Sequence, residues 1–172
     1  MPPAEIAYTS AADLARLIRN KTVSATEVMR ATLDRADRAQ QILNCFITIC
    51  RDEAMRDAAA ADAALARGDD VGPLHGVPLH VKDIVNTKGV RTTFGSFIHE
   101  HNVPEADSVC VARLKAAGAI LFGKTTTPEF GHMVWTAGAA VRAHAQWPGM
   151  LRAPSRWIIG RCGGGLTRRA SG

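Results

Sequence analysis

The segment PLHGVPLHVKDIVNTKGVRTT, Pro73 to Thr93, joins a turn at Gly72–Pro73 to the apolar run Val77, Leu79, Val81, Ile84 and Val85. Lys82 and Asp83 interrupt that run at its centre. A run this apolar reads as a strand buried on both faces. A lysine inside such a strand needs a reason, because lysines are almost never fully buried unless paired. Two readings are open. Lys82 can stand at a strand end and snorkel its amine to water. Alternatively its amine is desolvated, so that its pKa falls until it can act as a base.

On either side, apolar stripes and short runs alternate. Ser10 and Asp13 have capping-box-like spacing, and Leu14, Leu17 and Ile18 form a stripe, which predicts a helix from Ala11 to Lys21. Ser24 with Glu27 is a capping box and opens a second helix to Leu43, with Val28, Leu33 and Ala36 facing inward. Arg30 and Asp34 lie four apart on its outer face, the spacing of a solvated ion pair. Phe46, Ile47 and Ile49 predict a short strand. Arg51 to Arg67 is alanine-rich and helical by propensity, with Gly68 as its stop. Beyond the opening segment, Thr87 to Thr93 reads as a loop turning at Gly89, and Phe94 to Glu105 as irregular chain. Asp107 or Ser108 caps a helix through Ala117 that Gly118 ends. Ala119 to Phe122 is a second buried strand. The order implies an α/β fold: a parallel or mixed sheet covered by helices.

With 172 residues, 47% hydrophobic and 22% charged, the chain has the size and composition of one globular domain. No apolar run reaches the length of a membrane span, and no secretory signal is visible at the N-terminus, so a cytoplasmic location and no membrane partner are expected. The four cysteines, Cys45, Cys50, Cys110 and Cys162, are scattered and read as reduced thiols, with Cys45 and Cys50 at core positions. His99 and His101 have no third ligand of suitable type nearby, so no metal is expected, nor any cofactor.

The order of several blocks resembles the amidase signature family, serine hydrolases that cleave carboxamides through a Ser–Ser–Lys triad. The blocks are Leu74–Asp83, Thr92–Ser96, Ala106–Val109, Arg113–Ile120, Gly123–Thr125 and Pro128–Phe130, and the resemblance covers roughly residues 5 to 136. It implies a mixed sheet covered by helices, a small-molecule amide as substrate, and Lys82 as the catalytic lysine. Ser96 and Ser108 stand outside the family's serine motif and are not assigned the other two roles.

Residues 137–172 break the pattern. They hold six arginines (Arg142, Arg152, Arg156, Arg161, Arg168, Arg169) and no acid or lysine. The whole chain has 21 basic and 16 acidic residues; without those six, 15 basic residues remain and residues 1–136 sum to −1. The family places Gly-Gly-Ser-Ser-Gly-Gly here, carrying the middle triad serine, with the nucleophile further on; neither motif is present. Trp157–Gly164, written in GC-rich codons and read one base later, yields Gly-Ser-Ser-Gly-Gly. Ala139–Gln146 likewise yields Pro-Leu-Phe-Gly-x-Thr-Arg-Asn. The expectation is therefore an N-terminal amidase part over 1–136 and a frame-shifted, poorly ordered tail over 137–172, truncated and inactive as written. The alternatives are a non-catalytic binding module, or polyanion binding through the basic tail, with nucleic acid the less favoured partner.

Overall fold

A computed structural model describes residues 2–132; the 137–172 tail and the expectations attached to it lie outside the described residues. The elements run α1 (Pro3–Ile6), α2 (Ala11–Arg19), α3 (Ala25–Leu43), β1 (Phe46–Ile49), α4 (Arg51–Arg67), β2 (Pro78–Lys82), α5 (Val109–Ala116) and β3 (Ile120–Thr125). Short 3-10 turns lie at Phe97–His99 and Glu129–Gly131.

Local chemistry accounts for the helices. Ser24 accepts from Glu27 N, and the Glu27 carboxylate accepts from Ser24 N at 2.9 Å, closing the capping box. The α3 N-terminus has a second cap. Asp62 on α4 accepts from Ala25 N at 2.7 Å, Thr26 N at 3.0 Å and Thr26 Oγ1 at 2.6 Å. One helix thus satisfies the orphan N–H groups of the other. Gly68 ends α4 at φ 81. Ser108 is the N-cap residue of α5, but its side chain makes no capping bond. The expected Arg30–Asp34 ion pair is not formed among the described residues; neighbouring Arg35 instead lies over the Tyr8 ring at 4.9 Å.

The three strands form a mixed sheet in the order β1-β3-β2, with β1 antiparallel and β2 parallel to β3. This is the mixed, helix-covered sheet read from the sequence. Ile18, Val28, Met29 and Leu33 from the helices meet Ala54 and Ala58 of α4 and Ile49, Ile120 and Phe122 of the sheet in one core. The place of β2 differs from expectation. Among the described residues it is an edge strand, not a strand buried on both faces: Leu79 and Val81 are half-buried, while His80 and Lys82 are exposed. The central strand is β3, where Ile120, Phe122, Gly123 and Lys124 are buried. Runs of apolar residues mark both positions alike, and pairing on one side or two is a tertiary matter.

Among the described residues, Cys45 and Cys110 are free thiols. No described helix is long and apolar enough to cross a membrane.

Candidate functional site

Lys82 closes β2 opposite Thr125 of β3. Its side chain is exposed and makes no hydrogen bond or ion pair with the described residues. The dry amine expected at this position is therefore not found here.

The next residue, Asp83, is fully buried. Its N–H still joins the ladder, donating to Thr125 O at 2.9 Å, and its C=O accepts from Phe94 N at 3.1 Å. Its Oδ2 accepts from Thr93 N at 3.0 Å and Thr93 Oγ1 at 2.5 Å. The other carboxylate oxygen, Oδ1, is buried without a hydrogen-bond partner. Burial raises the Asp83 pKa, and the Thr93 bonds and the charges of Lys124 and Arg91 pull it back. Asp83 thus braces the loop after β2 and does not pair with Lys82.

A buried lysine does exist, at position 124. Lys124 has no exposed surface, and its Nζ donates to Val85 O, to Thr87 Oγ1 at 3.2 Å and to Thr92 Oγ1 at 2.9 Å. Its three ammonium protons are thereby all used. Burial lowers its pKa to about 8, against the opposing pull of Asp83 and Asp107. Lys124 and Asp83 grip the same loop, residues 84–93, at Thr92 and Thr93 in turn. Sequence reading passed over Lys124 as part of a motif. The signal was available in the threonines Thr87 and Thr92, whose hydroxyls suit a buried ammonium.

A second brace lies alongside. Ser96, buried, donates to Glu129 Oε1 at 2.6 Å, and Phe130 N donates to Phe94 O at 2.7 Å. Phe94 and Phe130 both adopt left-handed backbone, φ 55 and 50, a conformation that costs a non-glycine residue roughly 1–2 kcal/mol. The His99 ring packs between them, 5.1 Å from Phe94 and 6.0 Å from Phe130. Gly95 lets the two segments meet, since a Cβ there would fall 2.7 Å from Thr127 O. Ser96 is committed to Glu129, and Ser108 lies 3.3 Å from Cys110 at the start of α5. No hydrogen bond brings either serine to Lys82. Among the described residues, no group of three or more His, Cys, Asp or Glu is placed to hold a metal, and His101 joins no such group.

A groove of about 570 Å³ lies elsewhere, lined by Arg56, Ala60 and Ala64 of α4 with His75, Lys88 and Leu121. It does not include Lys82. His75 is already tied by Nε2 to Ala61 O at 2.9 Å.

The described fold is a mixed sheet under helices, and the Amidase family model matches residues 27–143. The chain belongs to the amidase family. It is similar to one subunit of the glutamyl-tRNA(Gln) amidotransferase of Carboxydothermus hydrogenoformans, 40% identical over 73% of this chain and 26% of that one. The corresponding protein of Heliobacterium modesticaldum is 37% identical over 92% of this chain and 31% of its own length. Among solved structures, fatty acid amide hydrolase superposes with a TM-score of 0.70 at 32% identity, covering 73% of this chain and 22% of that one. The peptide amidase of Stenotrophomonas maltophilia gives 0.67 at 33%, covering 72% and 26%. The chain therefore spans about a quarter to a third of the length of the curated relatives named here.

Proposed function

We propose that this chain is the N-terminal part of an amidase-signature hydrolase acting on the carbon–nitrogen bond of small carboxamides in the cytoplasm, with Lys82 as the lysine of a Ser–Ser–Lys triad. The observation that carries the reading is the state of Lys82. It stands at the carboxyl end of a strand parallel to the central one, and the carboxylate next to it in sequence is buried and bound to Thr93. The amine is thus left without an acidic partner among the described residues.

In the complete catalytic unit, neutral Lys82 accepts a proton from a bridging serine. That serine activates a nucleophilic serine, which attacks the amide carbon. The resulting acyl-enzyme releases ammonia or an amine and is then hydrolysed. This needs a lysine uncharged near neutral pH, against an ordinary value of about 10.4. Burial can supply shifts of roughly 3–5 units. Covering the exposed face of Lys82 with further polypeptide is what would produce one here. The reaction calls on no cofactor or metal, and nucleic acid is not the favoured partner.

As written, the 172 residues contain no Gly-Gly-Ser-Ser-Gly-Gly loop, and we assign that loss to a shifted reading frame within residues 137–172. One member of such a unit does not sustain the rate alone, so the chain as written should not hydrolyse amides. Two measurements test this. Sequencing the DNA across codons 130–175 should reveal the serine loop in the alternative frame. A frame-restored chain should hydrolyse primary amides and lose that activity in Lys82→Ala, while the 172-residue chain shows none. Turnover by the 172-residue chain refutes the assigned inactivity; full activity in the restored Lys82→Ala variant refutes the role of Lys82.

A further inference from the structure

Lys82 and Asp83 are adjacent opposite charges, the simplest pair to neutralise each other, yet they do not. Neighbours along an extended chain point to opposite sides. Here Lys82 is exposed and Asp83 fully buried. Pairing in the sheet sets Val81 beside Lys124. By the same alternation Asp83 lies on the side of Val81, and therefore of Lys124.

We propose that Lys124 is the counter-charge of Asp83 and thereby a positioning residue for Lys82: it keeps that carboxylate in the loop behind β2 and leaves the Lys82 amine unpaired. The inference rests on the reading of Lys82 as the proton acceptor.

Three observations support it. A buried carboxylate without compensation is strongly disfavoured, and Asp83 Oδ1 lacks even a hydrogen bond. The charged groups that act on Asp83 are Lys124 and Arg91. The Arg91 guanidinium is occupied by Glu100 O at 3.3 Å and Ile47 O at 3.2 Å, and it is only half-buried. Lys124 is the fully buried one of the two. Finally, Lys124 has no nearer claim on its charge. Its hydrogen bonds go to neutral oxygens, Asp107 is held by Lys115 at 2.9 Å and by Lys88 N at 2.7 Å, and Lys115 itself opposes the charge on Lys124. Lys124 and Asp83 meet through Thr92 and Thr93, adjacent residues that bind one charge each.

The test uses the 172-residue chain and competitive acetylation with limiting acetic anhydride at pH 7, where Lys124 carries its proton. Mass spectrometry reads the labelling of Lys82 relative to exposed Lys21 as an internal reference. Folding of each variant is checked by circular dichroism. Asp83→Asn, nearly isosteric, should leave the Lys82 to Lys21 ratio within about 1.5-fold, because the Asp83 charge is already compensated. Lys124→Met should lower the ratio by about threefold or more, since the uncompensated carboxylate then holds Lys82 protonated. The double variant Asp83→Asn with Lys124→Met should restore it.

A purely structural role for Lys124 would instead raise the labelling of Lys82 and of Lys88 together, with no restoration in the double variant, and would overturn the proposal. So would a threefold or greater rise in Asp83→Asn alone, which would show that Asp83 pairs with Lys82 after all. That arm decides the matter even if Lys124→Met fails to fold. Hydrolysis by the frame-restored chain is a separate readout. Its failure with these ratios intact would remove the amidase reading only, and the reverse result would remove the counter-charge only.

Discussion

Replacing Lys124 with methionine should change not only the stability of the fold but the way that stability depends on pH. Lys124 is wholly buried, and its pKa is lowered from 10.5 to about 8. At 1.36 kcal/mol per unit, the difference corresponds to about 3 kcal/mol. The sign follows from proton binding. Between about pH 8 and 10.5 the unfolded chain keeps the Lys124 proton and the folded chain has given it up. Stability therefore rises with pH across that window, since the unfolded state binds more protons. Below pH 8 both states carry the proton and the fold bears the full cost of the buried charge. Cys45 works the other way. Burial raises its thiol pKa above the ordinary 9.0, so its contribution is lost as pH rises beyond that value. The comparison is therefore made in a Cys45→Ala background. Urea unfolding followed by circular dichroism at several pH values should show stability climbing by up to about 3 kcal/mol between pH 7.5 and 10.5. In Lys124→Met that climb should be absent. The variant also strands Val85 O and the hydroxyls of Thr87 and Thr92, which lowers its curve at every pH without tilting it. Parallel curves for the two proteins would refute the reasoning, because the protonated amine would then carry no cost of burial.

Asp83 is the acidic counterpart: its raised pKa means that the buried carboxylate costs stability at neutral pH, and the cost is relieved as pH falls through that value toward 3.8. Asp83→Asn should remove this component, read as a flatter stability profile on the acid side. Asp62→Ala takes the second cap from α3, leaving Ala25 N and Thr26 N unpaired, and should cost about 1–3 kcal/mol by urea unfolding; Asp62→Asn should recover much of that. Gly118→Ala forces a side chain into φ 93, with its Cβ 2.8 Å from His75 Cα, and should destabilise by at least about 2 kcal/mol. An unchanged melting midpoint in Gly118→Ala would show that the turn relaxes freely.

The helices were legible because their signals are local. Ser24 and Glu27, or Gly68 at the end of α4, act within one turn of chain, and the structure places them as their spacing implies. The existence of the strands was legible too, from runs of β-branched and aromatic residues. Their order in the sheet was not. Val77–Val85 and Ala119–Phe122 both read as apolar runs, and nothing within either says which has a neighbour on one side and which on two. The same limit hid the site's electrostatics. Lys82 drew attention because it interrupts an apolar run, while Lys124 follows Gly123 at the end of one and looks ordinary. Which lysine is dry depends on a loop 32–39 residues away in sequence folding over it. Asp62 was missed for a similar reason: it caps a helix other than its own, across 36 and 37 residues. Sequence spacing reports contacts within an element and is silent about those between elements.

The sheet's middle strand is the last of the three to be made. β1 and β2 have no contact of their own in the ladder; among the described residues each pairs only with β3. On the ribosome, β1 is complete at Ile49 and must wait until synthesis reaches Ile120. At 5–20 residues per second that delay is roughly 4–14 s. Meanwhile the helical hairpin of α3 and α4, tied at Asp62, can dock, but Phe46 to Ile49 stays a bare edge open to other chains. Holding two unpaired strands until a third arrives makes assembly of this part of the sheet a matter of timing.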